Sequence, residues 1–324
     1  MDVIDKIKAP VAAEMDQFNE SLHEELYNDN PLLKKAVEHL LKTSGKQLRP
    51  LLVLLSARMV GKVNDNVIRV AIALELLHTA SLLHDDVVDE SDRRRGLPSL
   101  NAFMTNQVAV LTGDYVLSKS LECCAALGDD VRVFRYFSQL GQSLADGELL
   151  QIHGNDSEEL SETAYFDVIS RKTASLFSVC ARLGALTAGG TENDAERLAQ
   201  FGKLIGICFQ LRDDVFDYGT AEVGKPLGND MREGKITLPA IYAINHTGNE
   251  AMRALALKVR RREASSEEIR QLIDFSISEG GLDYVQWRMK DMQGMADGLI
   301  DDTRDATIAE ALHLLASFVA ERVF

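Results

Sequence analysis

Apolar positions fall at helical spacing along most of the chain. From Asn66 to about Ser91 they repeat as the stripe of one long helix, about 26 residues and ~40 Å, with Asp65 the expected N-cap. A second run covers Asp167 to Ala188 and is stopped by Gly189 and Gly190. A third covers Asn193 to Tyr218 and is stopped by Gly219. Ser265 followed by Glu268 makes a capping box for a later helix. Strand signals are nearly absent, with no alternating Val, Ile and Thr runs between turn pairs. Only six prolines interrupt the chain. The pattern predicts an all-α protein, read as a single domain over residues 1–324, with helices longer than average.

One segment breaks the pattern. YGTAEVGKPLGNDMREGKITLP, residues 218–239, holds four glycines, two prolines and three basic residues. It is expected to be a loop. Loops of this length in compact domains often cover a site, and a plain connector fits the composition equally well.

Composition narrows the function. At 324 residues and 46% hydrophobic, the chain can bury a large core. Thirty-five basic residues against fifty acidic ones leave a net charge of −15. That balance argues against a nucleic-acid binder and against attachment to anionic lipid. Any anionic ligand must be met by locally concentrated positive charge. MDVIDKIKAPVAAEMDQF lacks the apolar core of a secretory signal. The greasiest run, LLVLLSARMV, is broken by Arg58 and is too short to span a bilayer. A cytoplasmic protein without a transmembrane segment is expected. Cys123, Cys124, Cys180 and Cys208 form no CxxC pair and read as buried thiols in a reducing compartment.

The chemistry is signalled by LLHDDVVDESDRRRG, Leu82 to Gly96, where five acids within eight positions run straight into three arginines. Asp85-Asp86-Val87-Val88-Asp89 has the form DDxxD, and so does Asp213-Asp214-Val215-Phe216-Asp217. On a helix, i and i+4 share a face and i+1 lies about 100° round, so each motif is expected to present its carboxylates from one arc. Each also lies near a helix C-terminus, where the dipole disfavours anions. Bound divalent cations would neutralise the cluster, and oxygen-only ligands point to a hard ion such as Mg²⁺. Mg²⁺ commonly keeps one or two carboxylates and takes substrate phosphates for the rest. The adjoining arginines could then fork onto the same phosphates. Two acidic surface helix ends are the plainer alternative. A third copy, Asp301 to Asp305, contains Arg304 and has no apolar lead-in, so it reads as a solvated helix face.

In order along the chain stand GKQLRP at Gly45 to Pro50, LLHDDVVDESDRRRG, GELLQ at Gly147 to Gln151, Lys172-Thr173, FQLRDDVFD at Phe209 to Asp217, Lys225, and Gly234-Lys235. Together they resemble the trans-isoprenyl (polyprenyl) diphosphate synthases, most of all the medium- and long-chain (octaprenyl-type) members. The resemblance implies an isoprenoid synthase fold, a single helical bundle around a deep cavity, usually a homodimer. It implies condensation of isopentenyl diphosphate with an allylic diphosphate (farnesyl, geranylgeranyl or shorter). Asp85, Asp86, Asp89, Asp213 and Asp214 would then hold about three Mg²⁺ ions, replaceable by Mn²⁺, with Asp217 assisting. Arg94, Lys172, Gln210, Lys225 and Lys235 would contact the allylic diphosphate. Lys46, Arg49, His78 and Arg95 would bind isopentenyl diphosphate, and Thr173 would orient the reacting carbons. Asp85, Asp86, Lys172, Thr173, Asp213 and Lys225 would carry the catalysis. The family often has Gly-Gly-Lys where this chain has Ser44-Gly45-Lys46.

Ala80 and Ser81 precede Asp85 by about one turn and would line the cavity floor, where the family's short-chain members carry aromatics. Both are small here, so an open tunnel and a medium or long product, serving a quinone side chain, are expected. Farnesyl or geranylgeranyl synthesis is the alternative. A rival of another class is a di-iron bundle, since Glu20-x-x-His23, Glu75-x-x-His78 and Glu310-x-x-His313 have the spacing such sites use.

Overall fold

The computed structural model describes residues 2–42, 45–128, 130–155, 158–219 and 227–321. The chain separates into two compact units. One comprises Met1–Gly141, Leu176–Gly202 and Ile300–Leu314; the other comprises Gln142–Ser175, Lys203–Leu299 and Leu315–Phe324. Apart from one two-stranded hairpin, the regular structure among the described residues is helical, as the periodicity predicts.

In the first unit the helix Asp65–Val88 packs against Asn106–Ala125, Leu48–Val60 and Ala12–Leu26. The helix Leu48–Val60 is apolar nearly all round, so it is buried on every side. Leu51, Leu52, Val53, Leu54 and Leu55 are fully enclosed. Each such side chain contributes roughly 1.5–3 kcal/mol by leaving water. The helix Ser175–Thr187 crosses it in backbone contact at Gly184, where a Cβ would lie 2.3 Å from the Val53 carbonyl oxygen. The helix Asp65–Val88 is long and apolar enough to cross a membrane, yet 67% of its apolar window is buried within the protein.

The second unit is built around Leu238–Thr247, which lies against Gly281–Asp297 and Ser266–Ser278. Pro239 in its first turn and left-handed Gly248 just past its end set its limits. Leu160, Tyr218, Met231, Ile241, Leu272 and Ile273 belong to the core beneath it. The capping box of Ser265 and Glu268 forms as expected.

Boundaries differ from the sequence reading in instructive ways. The first long helix is capped by Asn64, whose side chain accepts the Val67 amide, and not by Asp65. It ends at Val88, and Glu90 beyond it has a φ of 51°. The run expected from Asp167 begins earlier, in the helix Glu162–Ile169 capped by Ser161, and is interrupted by a π turn at Ser170–Ala174 before Ser175–Thr187. The third long helix spans Glu192–Phe216. Arg93–Arg94 pairs with Leu97–Pro98 in an antiparallel hairpin that no alternating pattern announces. Its turn residues, Arg95 at φ 51° and Gly96 at φ 80°, take the positive angles a two-residue hairpin of this hand requires.

Candidate active site

The first acidic motif closes the helix Asp65–Val88. Asp85 and Asp89 stand one turn apart and are half-buried. Asp86, a third of a turn round, is only 2% exposed. Arg94 donates to it through Nε at 2.9 and 3.0 Å and through Nη2 at 2.6 Å, a forked charge-assisted contact. The Asp86 carbonyl accepts the Ser91 amide at 2.9 Å and the Asn101 side chain at 3.3 Å, which bends the chain into the hairpin. Arg94, expected on a phosphate, is held here by an aspartate.

The next arginine goes elsewhere. The Arg95 guanidinium lies on Gly45, where a Cβ would sit 2.6 Å from Cζ. Close by is a cavity of about 80 Å³ whose polar wall includes Glu75, His78, Thr79, Asp86, Arg94 and Arg95 and whose apolar wall is largely leucine. His78 is held neutral: burial, then Arg49, Arg95 and Arg94, push its pKa well below the ordinary histidine value. Burial raises the Glu75 carboxyl, against the pull of Arg49 and Arg95. Arg49 itself lies over the Phe177 ring, 5.1 Å from its centroid, and Lys46 is exposed. Four expected residues, His78, Arg49, Arg94 and Arg95, are thus brought into one neighbourhood.

In the second motif Asp213 is half-buried and Asp214 is 3% exposed. Asp214 accepts the Tyr165 hydroxyl at 2.5 Å and Gln210 Nε2 at 2.8 Å, and Gln210 Oε1 accepts Thr173 Oγ1 at 2.8 Å. Burial, then the nearby Asp230, raises the Asp214 carboxyl well above the ordinary range. Asp217 has a different task. Its two oxygens accept the Asn229 and Asp230 amides at 2.7 and 3.1 Å, capping the short helix Asn229–Arg232. The resemblance implies that it assists at the metal; its contacts here anchor the returning chain.

Lys172 sits in the π turn, touching the Glu148 carboxylate and donating to Gln151 Oε1 at 3.3 Å. Gly147 makes this possible, since a Cβ there would lie 2.7 Å from the Lys172 amide nitrogen. Lys235 pairs with Glu233 at 2.7 Å. Lys225 lies outside the described residues. Ala80 is buried and the Ser81 hydroxyl bonds the His78 carbonyl; neither lines the described cavity.

The third DDxxD is no helix face, contrary to expectation. It lies in the turn before Ala306–Glu321, where Asp305 caps that helix, Asp302 meets His313 and Asp301 holds Thr303. A residue with no motif assignment is Tyr165. Its one signal is helical spacing, seven positions before Lys172.

The donor set fits a hard divalent cation. It is all oxygen, with half-buried carboxylates backed by buried ones. Among the described residues no three His, Cys, Asp or Glu side chains converge as a complete metal cage. That suits an ion completed by phosphate oxygens and water, and it removes the support for a di-iron site.

Residues 30–275 match the family model for polyprenyl synthetase. The chain belongs to the polyprenyl synthetase family. It is 36% identical over 321 residues to octaprenyl diphosphate synthase of Haemophilus influenzae, covering 98% of this chain and 97% of that one. Among solved structures it is similar to a polyprenyl synthase from Caulobacter crescentus complexed with calcium and isoprenyl diphosphate. That match has a TM-score of 0.91 and 33% identity, over 99% of this chain and 98% of the other. It is also similar to geranylgeranyl pyrophosphate synthase from Bacteroides thetaiotaomicron, with a TM-score of 0.87 and 39% identity, over 99% and 100%. Membership makes the protein a prenyltransferase with the all-α isoprenoid synthase fold.

Proposed function

We propose that the protein condenses isopentenyl diphosphate head to tail with an allylic diphosphate, giving an all-trans medium- or long-chain polyprenyl diphosphate. The observation that carries this is the pair of acidic motifs, each with half-buried outward acids over a clamped, buried one. The reading assigns Mg²⁺, about three ions with Mn²⁺ as a substitute, to the acids of the two motifs, Asp85, Asp86 and Asp89 with Asp213, Asp214 and Asp217. When bound, the cation neutralises the charge that builds on the departing diphosphate.

The chain's own groups do the rest. Lys172 and Lys235 exchange their carboxylate partners for diphosphate oxygens, and Lys225 joins them by family position. Arg49 and Arg95, with Lys46, hold isopentenyl diphosphate, and neutral His78 donates or accepts a hydrogen bond without adding charge. The allylic C–O bond breaks and the isopentenyl double bond forms the new C–C bond. The departing diphosphate takes the proton, so no nucleophilic side chain is needed. Fixed charges aimed at the leaving group are the main source of acceleration.

Small residues at Ala80 and Ser81, and the similarity to an octaprenyl synthase, support a long product. A twenty-carbon product is the second reading, favoured by the burial of Ala80 away from the described cavity and by the geranylgeranyl synthase neighbour. The reading includes a cytoplasmic homodimer, and four free buried thiols suit a reducing compartment. The test is product analysis with farnesyl diphosphate, labelled isopentenyl diphosphate and Mg²⁺. A product ladder running past twenty carbons is expected; a stop at twenty selects the second reading, and no condensation with any primer rejects both.

A further inference from the structure

Tyr165 lies on the helix Glu162–Ile169, immediately ahead of the π turn that carries Lys172 and Thr173. Its ring packs on the core of the second unit, edge-on to Phe166 at 5.5 Å. Its hydroxyl donates to Asp214 Oδ2 at 2.5 Å. On the other oxygen, Gln210 donates at 2.8 Å, and Thr173 in turn donates to Gln210 at 2.8 Å. Every donor in the chain points toward Asp214. Because the Thr173 hydroxyl occupies Gln210 Oε1, the amide nitrogen faces the aspartate.

A carboxylate beside a cation site needs a fixed orientation, and groups that donate to it commonly supply it. Each Asp214 oxygen keeps a second lone pair after its hydrogen bond. The Tyr165 ring packs against the core while its hydroxyl reaches the acid, so one side chain joins packing to the site.

We propose that Tyr165 is a positioning residue for divalent-cation binding at the second acidic motif, holding Asp214 in register with Asp213 and, through Gln210 and Thr173, with the Lys172 turn. The role rests on the synthase reading above. The experiment compares the wild-type protein with Tyr165→Phe, which keeps the ring and removes the hydroxyl. Free Mn²⁺ is titrated by electron paramagnetic resonance in the presence of inorganic diphosphate, and turnover is measured against Mg²⁺ concentration.

Mn²⁺ binding should weaken roughly tenfold, the lower end of what loss of such a supporting bond costs. The Mg²⁺ concentration for half-maximal turnover should rise in parallel, with the KM for isopentenyl diphosphate unchanged. Added to Asp214→Asn, the Tyr165→Phe change should cost nothing further, because its route to the cation is already gone. Mn²⁺ binding indistinguishable from wild type overturns the proposal, as does a full additional loss on top of Asp214→Asn. A wild-type protein that binds Mn²⁺ with diphosphate but condenses no substrate overturns the synthase reading, and the Tyr165 comparison is then decided by Mn²⁺ binding alone.

Discussion

The two acidic motifs share one five-residue pattern and solve its burial problem in different ways. In the first, Asp86 is enclosed and met by a cation, the forked guanidinium of Arg94. In the second, Asp214 is enclosed and met by neutral donors, Tyr165 and Gln210, with Asp230 and Asp213 adding negative charge nearby. A guanidinium cancels the charge it approaches. A phenol and an amide orient the charge and leave it in place. The second cluster therefore carries the larger uncompensated demand for a cation; burial, then the Asp230 charge, raises its inner carboxyl.

Three experiments can break or sharpen that contrast. The largest effect is expected from Asp85→Asn and Asp213→Asn, the half-buried acids that lead each motif. Each should lower the condensation rate by ~10²–10³-fold, the loss found when one preorganised charge contact is removed. A modest loss at either position would mean that the half-buried acids are not the working ones. Next comes Arg94→Ala, which strands a nearly enclosed carboxylate and should cost about 2–3 kcal/mol, read from the denaturant midpoint. Arg94→Lys should recover only part of it, since an ammonium cannot reproduce the fork. A cost no larger than that of an exposed ion pair would erase the difference between the two motifs. The smallest effect belongs to the third copy. Asp305→Ala should remove a helix cap, about 1 kcal/mol by thermal melting, and leave turnover unchanged.

Periodicity made the helical class legible, and the order of motifs made the family legible. What the sequence could not assign was rotation and partnership. All three aspartates of each motif read as lying on one arc, because spacing gives an angle but not which way it faces. Asp86 and Asp214 turn inward because Arg94, Tyr165 and Gln210 are there to receive them. Asp217 is spent on two backbone amides twelve and thirteen residues away, a pairing no local pattern encodes. The π turn at Ser170–Ala174 lies inside an unbroken helical stripe and leaves no trace in it. The arginine hairpin was missed because two-residue strands have no alternation to detect. Asn64 took the cap expected of Asp65, one residue later in the chain, a shift within the ordinary uncertainty of helix ends.

That hairpin has a consequence for how the chain can change. Neighbouring residues on a strand point to opposite sides. Arg94 is thereby delivered to Asp86 and Arg93 to the Gly96 carbonyl, two cations one position apart sent to two addresses. The turn sets their phase. Removing Gly96 from it would slip the strand and interchange the sides, as any one-residue change of register does. A chain altered in that way would keep all three arginines, all its acids and its net charge. It would have the right letters and the wrong spelling, and Asp86 would face the interior without its cation.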